Sequence, residues 1–119
     1  MTIEPPPDTR IEDGVVIVSM PEEIDLANAK QLGASVRGAV PNEAVGVVLD
    51  LSSTTYLDSS GVHLVFDLAE RLRARQQRLA LAVPEASHIR RVLDLVDVTV
   101  AAGLAPDVED AAAAVRAEA

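Results

Sequence analysis

Apolar residues recur along this chain in two rhythms. "VVIVSM", from Val15 to Met20, is a β-branched run of strand length bounded by Gly14 and Pro21. "AVGVVLDL" is continuous rather than alternating, the pattern of a strand covered on both faces. "RLALAV" predicts a third strand, and the short apolar run "VTVAA" a last one. Between the strands the spacing becomes helical. Leu26, Ala29, Leu32, Val36 and Val40 fall on one helical face, with Asp25 as the predicted cap and Pro41 and Asn42 as the stop. Val62, Val65, Phe66, Ala69 and Leu72 form a second apolar face, with His63, Asp67, Glu70 and Arg71 turned away. Pro84 is predicted to open a helix carrying Ile89, Val92 and Leu93. Asp107 is predicted to cap a final helix with Val108, Ala111, Ala112 and Val115 inward. Glu109 and Asp110 sit in its first turn, where the helix dipole favours them.

Strands alternating with helices predict a mostly parallel sheet with covering helices, an α/β fold. Pro5, Pro6 and Pro7 forbid a regular ladder, so residues 1–10 read as a tail or short edge strand and 11–119 as a single domain. The chain of 119 residues has no internal repeat and no linker long enough to divide it.

Composition narrows the function. One Tyr, one Phe and no Trp leave little for base or sugar stacking. A net charge of −9 argues against nucleic acid and anionic membrane, and suits a partner with a basic patch. Without Cys, disulfides, thiol catalysis and thiolate metal sites are excluded. No apolar run approaches the roughly 18 residues of a membrane span. The N-terminal "MTIEPPPDTR" lacks a signal pattern, so the chain reads as cytoplasmic, without membrane insertion. The basic stretch "RLRARQQR" reads as a solvated helix end and turn.

Candidate chemistry gathers at "DSSG", where the second strand run meets the second helix. Asp58, Ser59 and Ser60 are preferred N-cap residues and Gly61 permits a tight turn, so capping alone accounts for the stretch. A hydrolase elbow requires glycine on both sides of the serine, and position 57 is Leu where that pattern needs Gly. His63 lies four residues from Ser59, but a catalytic base also needs a third group to orient it. His63 and Asp67 at the same spacing are too few for a metal, and no phosphate-binding loop is present. No cofactor is implied. The remaining reading is a modification site: phosphate on a surface serine adds close to two negative charges. The helix amides and dipole would compensate it in the free protein. Beside Asp58, at a contact with a partner, the same anion would break a complex.

"YLDSSGVHLVFDLAERLR" after "VVLDL" resembles the signature of the STAS domain, the anti-sigma factor antagonist family. "PEEIDLANAKQL" is similar to the family's segment leading into its first helix, and "LALAVPEASHIRRVLDLVDV" to its third strand and following helix. The chain departs from the family's pattern at Glu22, His63 and near Val96 and Asp97, where glycine is usual. The resemblance implies a STAS fold, a mixed and mostly parallel sheet with about four α-helices. It implies a regulator rather than an enzyme. Unphosphorylated, such a protein binds an anti-sigma factor that is also a serine kinase and frees a sigma factor. Phosphorylation of the serine after the aspartate, here Ser59, switches binding off, and a serine phosphatase restores it. Asp25, Asp58, Ser60 and Gly61 match the surrounding motif, and His63 and Leu64 are expected contacts, Leu64 because it borders the polar arc of its helix. Two alternatives remain: a STAS adaptor subunit of a membrane lipid-transport ATPase complex, and a small nucleotide-binding domain.

Overall fold

The computed structural model describes residues 7–117. In chain order its elements are β1 (Thr9–Glu12), β2 (Val15–Ser19), β3 (Glu23–Ile24), α1 (Ala29–Ala39), β4 (Gly46–Asp50), β5 (Tyr56–Leu57), α2 (Ser59–Ala74), β6 (Arg78–Ala82), α3 (His88–Leu95), a 3₁₀ turn (Val98–Val100), β7 (Gly103–Ala105) and α4 (Val108–Ala117). Five strands make one sheet in the order β1-β2-β4-β6-β7. All neighbours are parallel except β1, which forms a hairpin with β2. The hairpin loop is Asp13–Gly14, with φ of 49° and 82°, the positive values that a two-residue turn matching strand twist demands. β1 runs across the expected boundary between residues 10 and 11, and the first six residues of the expected tail or edge strand lie outside the described part.

The sheet is covered on both faces, which is why its central strands read as unbroken apolar runs. Val16, Val18, Val47, Leu49, Leu79 and Leu81 face α1, α2 and α3 in one core. Val15, Ile17, Val48, Ala80 and Ala82 face α4, whose small Ala111 and Ala112 let it lie close to the strands. Asp107 caps α4 as expected, its carboxylate accepting the Asp110 N–H at 2.8 Å.

Four local expectations are corrected. The α1 helix begins at Ala29, not after Asp25, and Leu26 is 81% exposed instead of joining the apolar face. On α2 the buried residues are Leu64, Val65, Leu68, Ala69 and Leu72, with Val62 and Phe66 only half-buried. The α3 helix starts at His88 because Pro84 first makes a turn that places Ser87 as the cap, accepting the Ile89 N–H at 3.1 Å. "VTVAA" is not a strand. Val98 and Ala102 point into the core while Thr99 and Val100 are exposed, and the strand follows at β7.

Candidate functional site

Two short segments meet where the sheet strands end. β3 pairs in parallel with β5, in register Glu23 to Tyr56 and Ile24 to Leu57. This two-stranded ladder was not legible in the sequence, since two residues carry no periodicity. It brings the start of α1 and the start of α2 side by side, although they lie some thirty residues apart in sequence.

Asp58 joins them. One carboxylate oxygen accepts the N–H groups of Ser60 at 2.8 Å and Gly61 at 3.1 Å, the ordinary work of an N-cap. The other oxygen accepts the Leu26 N–H at 3.2 Å, across to the β3–α1 loop. Two first-turn amides are thus already engaged by Asp58. Gly61 is buried at the closest approach. A Cβ there would collide with Leu57 Cδ1 and lie 3.0 Å from the Ile24 carbonyl.

Asp25 is not the helix cap but the organiser of the preceding turn. Its carboxylate accepts the Ala27 N–H at 3.0 Å, and its carbonyl accepts those of Asn28 and Ala29. The buried Asn28 closes the arrangement, accepting the Asp25 N–H at 2.9 Å and donating to the Glu23 carbonyl at 2.7 Å. Held this way, the loop presents Leu26 to solvent beside the start of α2.

Ser59 is exposed and Ser60 half-buried. Both line a groove of about 610 Å³ between α1 and α2, with Leu26, Lys30, Gly33, Arg37, His63, Leu64 and Asp67 among its walls. The helices run alongside one another in step. Gly33 faces Leu64, because a Cβ on Gly33 would stand 2.8 Å from Leu64 Cδ1. Arg37 approaches Asp67 at 3.9 Å, and Arg71 meets the same carboxylate at 2.9 Å. Leu64 is 5% exposed, so the expected surface contact is corrected: it forms the groove floor, where the missing side chain of Gly33 makes room. Reading the helical wheel without its partner helix put Leu64 on the wrong side.

The structure therefore brings Asp25, Asp58, Ser59, Ser60, Gly61, His63 and Leu64 to one end of the molecule, and adds three residues the sequence did not single out. Leu26 is the exposed apolar group beside Ser59; Lys30 and Arg37 give the groove a cationic wall in an acidic chain. The signal for the cations was their spacing, seven residues apart on one helical stripe with Gly33 between. Among the described residues no helix is long and apolar enough to cross a membrane, and no cluster of potential metal ligands occurs.

A sheet with three helices on one face and one on the other, with a capped serine at the open end of α2, defines a small α/β module. Residues 6–111 match the family model for the STAS domain, and the chain belongs to that family. A curated relative, BtrV of Bordetella bronchiseptica, named as an anti-sigma factor antagonist, is 34% identical over 83 residues, covering 70% of this chain and 71% of its own. A solved anti-sigma factor antagonist from Mycobacterium paratuberculosis is 28% identical with a TM-score of 0.76, covering 92% of each chain. The anti-sigma factor antagonist SpoIIAA, solved in its unphosphorylated form, shares the fold at 21% identity and a TM-score of 0.64, over 93% of this chain and 96% of that one.

Proposed function

We propose that this protein is an anti-sigma factor antagonist controlled by phosphorylation of Ser59. In the unphosphorylated form the end of the molecule bearing Asp25, Leu26, Asp58 and Ser59 docks on a serine-kinase anti-sigma factor and releases the sigma factor that the kinase holds. Transfer of the γ-phosphoryl group of ATP to Ser59 Oγ ends the complex, and a serine phosphatase renews the binding form. The cycle takes place in the cytoplasm and needs no cofactor of this chain. The observation that carries this reading is the position of Ser59: an exposed hydroxyl in the first turn of α2, immediately after a fully engaged cap and at the mouth of a groove. The names of the relatives support the partner class. A phosphate beside Asp58 supplies the physical reason for release, since two neighbouring anions must both be desolvated for a partner to close over them.

The test compares wild type, Ser59→Ala and Ser59→Glu as baits in source-cell extract. Wild type and Ser59→Ala are expected to recover a serine-kinase anti-sigma factor that Ser59→Glu does not. Equal recovery by all three removes Ser59 from the mechanism.

A further inference from the structure

The groove beside Ser59 carries two nitrogen-bearing side chains, Lys30 and His63, whose purpose the docking surface does not explain. Among the described residues Lys30 and His63 make no ion pair, whereas Arg37 and Arg71 are both engaged with Asp67. Lys30 is also the chain's single lysine. Because Gly33 faces Leu64 and Arg37 faces Asp67, the same register sets Lys30 level with Ser60 and Gly61, one to two residues in from Ser59. His63 lies four residues after Ser59 on α2, the spacing at which side chains on one helix face are neighbours. Both line the same groove as Ser59.

A phosphate on Ser59 has two directions open to it. Toward the helix end it meets the carboxylate of Asp58, which already holds the Ser60, Gly61 and Leu26 amides and repels a second anion. Toward the groove it meets Lys30 from α1 and His63 from α2. The other charged groups on these walls, Arg37, Asp67 and Arg71, sit two turns or more along and are occupied with each other.

We propose that Lys30 and His63 form an internal latch for phosphorylated Ser59. The phosphate turns away from Asp58 into the α1–α2 groove, pairs with Lys30 across it and with His63 along α2, and fills the mouth of the surface that the partner uses. Release is then caused by occupation of the groove as well as by charge. The latch rests on the phosphorylation reading given above.

Phosphoserine is installed at position 59 of the full chain by genetic-code expansion, so that no kinase is needed, and the ³¹P resonance is titrated with pH. In wild type the second ionisation of the phosphate is expected about one pH unit below the usual phosphoserine value near 6. Lys30→Met is expected to return at least half of that difference, His63→Gln a smaller part, and Lys30→Arg, which keeps the charge, almost none. An ionisation at the ordinary value, or a lowered one that Lys30→Met leaves in place, overturns the latch. That failure leaves the Ser59→Ala and Ser59→Glu comparison standing. Conversely, a latch present in a protein whose Ser59→Glu form still captures the kinase refutes the switch and not the geometry.

Discussion

Asp58 accepts a hydrogen bond at 3.2 Å from the backbone N–H of Leu26, 32 residues earlier in the chain. Through this one contact the cap of α2 also fixes the loop that leads into α1, so that the proposed modification site and the exposed apolar contact beside it form a single rigid corner.

Replacing Asp58 with Ala removes partners from three N–H groups at once. Loss of an N-cap typically costs about 1 kcal/mol, and the stranded Leu26 amide adds a local loosening. Urea unfolding is expected to show the destabilisation, and hydrogen exchange is expected to quicken at Leu26 as well as at Ser60 and Gly61. Exchange that rises only within α2 would mean that the bridge to Leu26 does not hold in solution.

Gly61 and Gly38 make opposite forecasts from the same substitution. Gly61→Ala drives a methyl group into Leu57 and the Ile24 backbone, and overpacking of this kind costs about 1–3 kcal/mol. Gly38 lies in α1 with nothing within 4 Å of a Cβ, and Ala there is expected to stabilise by about 0.5 kcal/mol. Thermal melts of the two variants, measured side by side, check both signs.

Leu64 and Leu26 separate packing from recognition. Leu64→Ala is expected to lower stability by about 2–4 kcal/mol, the range for a buried leucine with a partly collapsible site. Leu26→Ser is expected to leave the melting temperature unchanged, because the side chain is already in water, and to weaken capture of the anti-sigma factor about tenfold or more, as loss of an exposed interface anchor does. Unchanged capture by Leu26→Ser would remove the β3–α1 loop from the docking surface.

Gln77 is a buried polar group whose amide donates toward the carbonyls of Pro41, Asn42 and Ala44, tying the end of α2 to the approach to β4. Gln77→Leu takes this donor from the Asn42 and Ala44 carbonyls, while the Pro41 carbonyl keeps the Ala44 N–H, and is expected to cost about 1–3 kcal/mol. Chemical denaturation at constant slope is the measurement; a neutral result would show that water replaces the amide.

The sequence by itself determined the layering of this protein and the address of its candidate site. Continuous apolar runs at β2, β4 and β6 declare strands buried on both faces, and a three-to-four spacing declares the helices between them, because each pattern depends only on how a segment meets a core. The Asp-Ser-Ser-Gly joint was equally legible, since capping is local chemistry. What depended on a second, distant segment was decided only by the tertiary structure. The β3–β5 ladder is two residues deep and needs both strands to exist at all. The fate of Leu64 turned on Gly33 of another helix, and the fate of Leu26 on a hydrogen bond to Asp58 that holds its loop away from the core. A side chain's face is set by its own helix, but whether that face is covered is set by the neighbour that packs against it.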